Sequence, residues 1–448
     1  MLHKNPIFPL LLLLPSLLLA QQKPIKISGN IGIYYENHKY NDTLNFKDER
    51  PPQIYRLELS PSLTLFNAPI ISLSAFISNE GSKLRQEINR FQFNFNISQL
   101  KDKVRIPFIL RPFSLISIGR TQTEFTEYTL YSTPLDGINV EFLPSIFYLN
   151  FAYGISQRAV EGSDSSKPTY KRTIYGFKTG LGKKDKTHLH FIFLHAKDDE
   201  NSIKPYLIPN PIDSLDTLEL VKPKENTLLG VEPQLSLWEE KFILKFEFSS
   251  SYITDDIREP VIDVGIPDWL KNFVNPRPSS SLGFAYKGNL NLNFNNTQLN
   301  TYFGRVEPSY KTLGNEYLRN DEERMGLGFS QNLLERKLGL DLNIEFYRDN
   351  VSNLNSFTTK AQNYEGGISL NIENFPSIDI KGGLFIMDTG KSEVRNLLNV
   401  SSGHRFKIKS INFSPFISYG LQNEKYLSSH SVYLNNRISF PFNLSFDL

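Results

Sequence analysis

Apolar and polar residues alternate with a period of two at both ends of the chain. Near the carboxyl end, the apolar positions are Ile438, Phe440, Phe442, Leu444, Phe446 and Leu448. Near the amino end, the apolar positions are Ile25, Ile27, Ile31, Ile33 and Tyr35. Side chains point to opposite faces at successive strand positions, so this pattern predicts strands with one apolar and one polar face.

The same alternation recurs between the two ends, in segments joined by connections of two kinds. The short connections fall at 67–69, 144–145, 183–186, 238–241, 295–296, 334–337, 374–376 and 410. The longer ones fall at about 36–53, 79–87, 121–136, 155–170, 197–227, 250–280, 305–324, 349–361, 388–404 and 421–429. Short and long connections alternate along the chain, which predicts a series of hairpins.

The composition limits what such a series of hairpins can be. The chain has 34 Phe and 21 Tyr but is only 40% hydrophobic, and no second apolar run approaches the length of a spanning helix. The net charge is +2, which gives no bulk electrostatic surface for nucleic acid. There is no cysteine, so disulfides and thiolate metal ligands are excluded.

These features together predict an all-β fold, a closed antiparallel transmembrane β-barrel of about 20 strands (range 16–22). Such barrels place short turns in the periplasm and long loops outside the cell. A soluble sandwich or propeller also alternates apolar and polar residues. The long aromatic strands and the lack of a blade-like repeat favour the barrel.

The first residues have the pattern of an export signal. His3 and Lys4 precede an apolar run from Ile7 to Ala20, too short to be a spanning helix. We therefore expect residues 1–20 to be a cleaved signal peptide and residues 21–448 to form one barrel domain in the outer membrane.

The signal peptide, the rhythm of strands and the carboxyl-terminal strand resemble those of bacterial outer-membrane β-barrel proteins. Five stretches resemble a group of large barrels of about twenty strands that have no established activity: 56–61 (RLELSP), 168–172 (PTYKR) before Tyr175-Gly176, 196–199 (AKDD), 223–226 (PKEN) and 308–315 (PSYKTLGN). The resemblance implies outer-membrane lipid as surroundings and the barrel assembly machinery as a partner during insertion. The resemblance implies nothing about which solute, if any, the barrel transports.

Charged residues on the polar face are the candidate functional set of a barrel that conducts or binds solutes. By strand phase, the lumen-facing candidates are Arg56, Glu58, Lys245, Glu247, Lys287, Asp341, Glu345, Asp379, Lys381, Lys407 and Lys409. Their signs are mixed, whereas ion-selective rings carry one sign. Ordinary solvation with cross-strand pairing is the main alternative to a selective constriction.

Catalytic and metal-binding patterns are weak in this sequence. Among the seven histidines, His188, His190 and His195 fall on one predicted strand, with His188 and His190 on the same face. A shared metal would need further ligands, so a role on the polar face is the simpler interpretation. The acidic clusters at 198–200, 255–256 and 320–323 lack the spacing of a calcium loop. We expect no enzymatic activity, no cofactor and no bound metal.

One long connection contains a short amphipathic segment at 261–274. Pro267 suits the first turn of a helix, and Trp269, Leu270, Phe273 and Val274 would then share a face. This face is expected either to constrict the mouth, to contact a ligand, or to cap neighbouring loops.

The leading functional hypothesis is therefore a porin-like or loop-gated channel for solute passage. The alternative is a surface binding or anchoring platform, with a loop-plugged lumen, that contacts another secreted or surface protein. An outer-membrane hydrolase is a third and weaker hypothesis, since no nucleophile motif accompanies the histidines.

Overall fold

A computed structural model of the chain describes residues 25–37, 52–65, 68–80, 89–101, 106–162, 167–209, 217–219, 221–263, 265, 273–424, 427–440 and 444–447. The chain separates into two compact units. The smaller unit comprises Met1–Thr121 and Asp136–Pro144, and the larger comprises Gln122–Leu135 and Ser145–Leu448. The predicted signal peptide lies outside the described residues.

The smaller unit is built from short antiparallel strands. They are β1 (Lys26–Ser28), β2 (Ile31–Asn37), β3 (Gln53–Leu59), β4 (Ser62–Leu65), β5 (Ala68–Ser78), β6 (Arg90–Asn96), β7 (Phe113–Thr121) and β8 (Leu135–Phe142). Strand β1 pairs with β4 and β2 pairs with β3. The interruption between β1 and β2 therefore lies opposite the interruption between β3 and β4. The ladder continues from β3 and β4 through β5 and β6 to β7.

The larger unit contains the remaining strands. They are β9 (Phe147–Gln157), β10 (Lys171–Gly182), β11 (His188–Asp199), β12 (Leu207–Pro209), β13 (Thr217–Glu219), β14 (Glu225–Leu237), β15 (Phe242–Thr254), β16 (Ser280–Phe294), β17 (Thr297–Val306), β18 (Glu322–Leu333), β19 (Leu338–Asp349), β20 (Lys360–Leu370), β21 (Ser377–Asp388), β22 (Ser392–Gly403), β23 (Phe406–Ile408), β24 (Ile411–Asn423), β25 (Ser428–Phe440) and β26 (Leu444–Asp447).

These strands form one long antiparallel ladder in chain order. Each strand from β9 to β25 pairs with its neighbours along the chain, except that β12 and β13 form a separate hairpin and β23 extends the line of β22 beside β24. The short connections predicted at 183–186, 238–241, 295–296, 334–337, 374–376 and 410 all fall between paired strands. The all-β antiparallel class is therefore confirmed.

Three details of the predicted barrel are not confirmed. The described residues form 26 strand segments, several only three or four residues long, and not a simple set of about twenty. The strand predicted from Ile438 to Leu448 is not continuous, because β25 ends at Phe440 and β26 turns back to pair antiparallel with it. The described pairings do not close the sheet.

Among the described residues, no helix has the length and apolarity needed to cross a membrane.

Candidate functional site on the polar face of the larger unit

The sheet of the larger unit exposes large apolar side chains on one face and carries charges on the other. On one face, here called the apolar face, Phe191, Leu229 and Leu282 expose 54%, 52% and 54% of their surface. On the other, the polar face, Lys178 and Glu232 are 2% and 1% exposed. Both sets come from the period-two alternation, so the sequence places large apolar side chains where a soluble protein would carry charges.

The polar face of β9–β17 is covered by a segment that the sequence predicts to be an outer loop. This first inner segment is Gln122–Leu135, which belongs to the larger unit. Its buried residues Phe125, Tyr128 and Leu130 join a core cluster on the polar face. The strand residues of that cluster include Ile174, Ile192, Leu194, Ala196, Leu228, Ile253, Ala285 and Val306.

A second inner segment, residues 307–321 between β17 and β18, lies against the first. The hydroxyl of Tyr310 donates to the carbonyl of Tyr128 at 2.5 Å, and the amide of Asn315 donates to the carbonyl of Glu127 at 2.8 Å. The backbone N–H of Tyr131 donates to the carbonyl of Gly314 at 3.0 Å. Several backbone groups of one segment are therefore satisfied by the other, as buried backbone requires.

Gly314 marks a close approach of the two inner segments. A Cβ atom at this position would lie 2.4 Å from the carbonyl oxygen of Thr129 and 2.7 Å from Leu194 Cδ2. Real Cβ atoms do not come that near to backbone oxygen, so a side chain would push the segments apart. Glycine is required here by space.

A buried charge cluster lies beneath the first inner segment. Lys178 Nζ is 2.6 Å from Glu232 and donates to the carbonyl of Phe125 at 3.1 Å. Glu232 also receives Lys245 Nζ at 2.8 Å and lies 3.3 Å from His188 Nε2. One carboxylate thus has three partners from three strands, and one of those partners also holds the inner segment.

A second cluster ties the same segment to β15 and β16. Glu247 accepts from the backbone N–H of Tyr128 at 3.2 Å and lies 3.1 Å from Lys287 Nζ. Lys287 also reaches Glu127 at 2.7 Å and sits 4.9 Å from the centre of the Tyr128 ring. Two strand charges therefore bind the backbone, a carboxylate and an aromatic ring of the first inner segment.

The second inner segment has its own ionic anchors. Arg172 makes a paired contact with Asp198, at 2.7 and 3.1 Å, and reaches Glu316 at 2.6 Å. Asp255, just beyond β15, receives Lys224 at 2.6 Å and Lys311 at 3.0 Å. These contacts join the ends of β10, β11, β14 and β15 to residues 307–321.

Titratable groups in and beside the inner segments are held in one ionisation state. Burial raises the pKa of Tyr128, with Glu127 and Glu247 adding to the effect, and burial raises the pKa of Tyr310 well above its ordinary value. Burial also acts to raise the pKa of Asp255, but hydrogen bonds from Lys224 and Lys311 outweigh it and lower the pKa overall. The phenols stay neutral and Asp255 stays charged.

The polar face of β18–β25 is different. Asp341 and Lys381 are exposed, and Glu345 and Asp379 are half-buried. Among the described residues, none of these four side chains makes an ion pair or hydrogen bond. A cavity of about 620 Å³ lies over this part of the face, bordered by Asn343, Glu365, Lys381 and Asn399 among others.

Apart from Lys409, the predicted lumen-facing residues thus divide into three groups. Lys245, Glu247 and Lys287 are held in the clusters beneath the inner segment, whereas Asp341, Glu345, Asp379, Lys381 and Lys407 lie on the less covered part of the polar face. In the smaller unit, Arg56 pairs with Glu80 at 2.6 Å, and Glu58 is exposed opposite Gly32. Lys409 is not on a strand face, because it has φ 56° in the turn between β23 and β24.

The histidines act as packed polar residues. The rings of His188 and His190 stack with centroids 4.1 Å apart, and His190 stacks on Tyr148 at 4.7 Å. His195 lies 3.4 Å from Glu225 and contacts the hydroxyl of Thr227 at 3.0 Å. Within the described ranges, no group of three or more His, Asp or Glu is placed to hold a metal ion.

The amphipathic segment at 261–274 is only partly described. Trp269 and Leu270 lie outside the described residues. The Phe273 ring packs edge-on against Phe193 at 5.5 Å, and its carbonyl accepts from Thr227. Val274 follows in irregular backbone. Phe193 pairs with Leu229 and belongs to the apolar face, so Phe273 contacts the apolar face of the sheet here.

All three acidic clusters are engaged with basic side chains, since Glu322 and Glu323 of the third pair with Arg324 and Arg305 at 3.1 and 3.3 Å. Asp198 binds Arg172, Asp255 binds two lysines, and Asp256 pairs with Arg258 at 2.9 Å. In the third cluster, Asp321 accepts from the backbone and hydroxyl of Ser352. These carboxylates are ligands for other protein groups and not a converging set of oxygens for calcium.

Sequence reasoning missed Lys178, Glu232, Glu127 and Arg172 as site residues. Lys178 and Glu232 contact each other but lie 54 residues apart along the chain, so alternation within one strand does not show that they meet. A local signal was present, because 191–194 (FIFL) is apolar on both faces. An apolar run of that kind predicts cover on the second face of a strand.

Four of the five stretches that carried the resemblance meet in this region. Residues 308–315 form most of the second inner segment, and 168–172, 196–199 and 223–226 supply its anchors Arg172 and Asp198 and the neighbouring Lys224. The fifth stretch, 56–61, belongs to the smaller unit.

No family model matches this sequence, and no curated protein matches it. Among solved structures, the chain is similar to OccAB2 of Acinetobacter baumannii, with 9% identity over 75% of this chain and 87% of that one, at a TM-score of 0.36. It is similar to the outer membrane protein OprD of Pseudomonas aeruginosa, with 9% identity over 89% and 93% of the two chains, at a TM-score of 0.35. It is also similar to the P pilus usher PapC translocation pore, with 10% identity over 87% and 89%, at a TM-score of 0.34. At such low identities and TM-scores, these likenesses assign no activity to this chain.

Proposed function

We propose that this chain is an outer-membrane β-barrel whose strands close around a channel for small polar solutes, without enzymatic chemistry. In this proposal, residues 1–20 are a cleaved signal peptide and residues 21–448 form the barrel. Outer-membrane lipid surrounds the barrel, and the barrel assembly machinery inserts it. The short turns face the periplasm.

The proposal depends on the larger unit exposing apolar side chains on one face and burying charged side chains on the other, the opposite of a soluble protein. Phe191, Leu229 and Leu282 are about half exposed, whereas Lys178 and Glu232 on the opposite face are buried. Fully burying one large apolar side chain is worth about 1.5–3 kcal/mol. A sheet with an apolar outer face along its whole length is therefore stable in lipid and not in water.

The uneven cover of the polar face supports a channel. The two inner segments lie over β9–β17 and would narrow the lumen. The face of β18–β25 keeps exposed Asp341 and Lys381 beside a cavity of about 620 Å³. A barrel of this size has more lumen than side chains alone fill, so water and solutes would occupy that part.

A second candidate function is a surface binding or anchoring platform with a plugged lumen, which contacts a secreted or surface protein. The contacts between the inner segments favour this platform, since Tyr310, Asn315 and Gly314 of the second segment each form a hydrogen bond with the first. Hydrogen bonds at several points between the two segments suit a plug that seals the lumen better than a constriction that only narrows it.

Single-channel recording in planar bilayers tests both functions. The full chain is refolded, and folding is confirmed by the compact band that shifts on heating. Stable current steps in potassium chloride support the channel. The key variant replaces residues 124–131 by a glycine-serine stretch of equal length, which removes Phe125, Glu127 and Tyr128.

The two proposals give opposite patterns in this experiment. For a channel, the original chain conducts and the variant conducts severalfold more. For a plugged platform, only the variant conducts. A folded chain that is silent in both forms would overturn the channel proposal and the plug interpretation together.

A further inference from the structure

A second cavity of about 1240 Å³ lies at the short-turn end of the polar face, over β20–β25. Arg405, just before β23, and Lys407, within it, both border this cavity. In the described part of the chain, neither side chain makes an ion pair or hydrogen bond. Two uncommitted positive charges therefore face one cavity.

The same cavity has an aromatic wall. Phe416 of β24 and Tyr433 of β25 border it, with ring centroids 6.2 Å apart at an angle of 61°. Phe416 lies beside Gly403, where a Cβ atom would be 3.3 Å from the ring. The glycine leaves space beside the ring, and Phe416 and Tyr433 expose 39% and 55% of their surface on a face that otherwise carries polar residues.

One acidic residue, Glu373 in the turn between β20 and β21, also borders the cavity. Its single negative charge does not neutralise the two positive charges of Arg405 and Lys407, so these three residues leave a net positive charge beside the cavity. Charged hydrogen-bond donors beside exposed aromatic rings suit a ligand that has an anionic group and an apolar part.

We propose that this cavity binds small organic anions, with the charged group at Arg405 and Lys407 and the apolar part against Phe416 and Tyr433. This inference rests on the proposed channel function and names a solute class for it. The charges of the middle part of the face are mixed in sign, so the positive cavity at the short-turn end would set the preference.

Calorimetric titration of the full refolded chain in a neutral detergent tests the proposal without any current. The probes are phenylacetate, acetate and 2-phenylethylamine, which separate the anionic group from the apolar part. We expect saturable binding of phenylacetate, at least tenfold weaker binding of acetate, and no binding of 2-phenylethylamine. Detergent micelles alone give the blank.

The variants locate the binding. The double variant Arg405→Gln with Lys407→Gln should weaken phenylacetate binding by about 10- to 100-fold, the range for losing hydrogen bonds to a charged group. Glu373→Gln, the matched control, should leave the affinity unchanged or raise it. All variants must keep the heat-shifted band.

The proposal is overturned if the three probes bind alike, or if the double variant folds and binds phenylacetate as well as the original chain. A chain that conducts in potassium chloride but fails this titration loses only the anion site. A chain that binds phenylacetate but never conducts loses only the channel.

Discussion

The polar faces of β9–β17 and β18–β25 arise from the same alternation but carry their charges differently. Under the inner segments, Lys178 and Glu232 are buried and Lys287 is half-buried, and all three are paired. On the other part, Asp341 and Lys381 are exposed and unpaired among the described residues. Strand phase alone therefore decides which face a charge takes. What covers that face decides whether the charge stabilises the fold or meets solvent.

The largest expected effect comes from breaking the buried cluster around Glu232. Glu232→Gln leaves Lys178 buried without a carboxylate, which should lower the free energy of unfolding by about 3–5 kcal/mol. Asp341→Asn, the matched change in the exposed part, should alter it by less than about 0.5 kcal/mol. Urea unfolding followed by tryptophan fluorescence measures both. Equal effects would show that cover does not distinguish the two parts.

Two glycines give the next comparison. Gly314→Ala places a Cβ 2.4 Å from the carbonyl of Thr129, so we expect a loss of about 1–3 kcal/mol in unfolding free energy. At Gly383 in β21, an added Cβ would meet Glu365 Cγ at an ordinary 3.6 Å. Gly383→Ala should be neutral or stabilising by up to about 1 kcal/mol. The same unfolding curves test both, and a neutral Gly314→Ala would contradict the tight contact.

Removing one hydroxyl from the second inner segment should have a smaller effect. Tyr310→Phe loses the hydrogen bond to the carbonyl of Tyr128, worth about 0.5–1.5 kcal/mol. Tyr317→Phe in the same segment removes a hydroxyl from a side chain that is 84% exposed, and should change little. Stability and current noise should both change for Tyr310→Phe alone. A loss in both variants would point to a general effect of the segment.

The smallest expected effect is a loss of stability at acidic pH. The pKa of Asp255 is lowered in the folded chain from an ordinary 3.8, so its charge stabilises the fold above that value. This contribution is lost as the pH falls through the lowered pKa. Unfolding midpoints measured from pH 6 to pH 2.5 should decline at the acid end, with a smaller decline in Asp255→Asn. An identical decline in the variant would remove Asp255 as the cause.

The sequence predicts the local parts of the fold well, because they depend on neighbouring residues. The turns at 238–241 and 295–296 and the two faces of β16 follow from alternation and turn residues. The inner segments could not be predicted in the same way. Residues 121–136 and 305–324 have the length and polarity of outer loops, and only their long-range contacts reveal that they turn inward.

The site shows the same limit. Lys245, Glu247 and Lys287 were found by phase, but their importance depends on Glu127 and Glu232, which lie far away in sequence. The carboxyl-terminal alternation predicts a single strand over 438–448, which is wrong because the chain turns back after Phe440. Alternation is the same in both cases, and the pairing of β26 with β25 is decided by backbone hydrogen bonds.

The position of the two inner segments along the chain also sets the order in which they are synthesised. The first segment precedes β9–β17, and the second follows β17 and precedes β18. Nearly all strand pairs in the larger unit join neighbours in sequence, so the ladder can grow one hairpin at a time. Hairpins that form in chain order would therefore meet the first segment already present, and β18–β25 would join strands that both segments already cover.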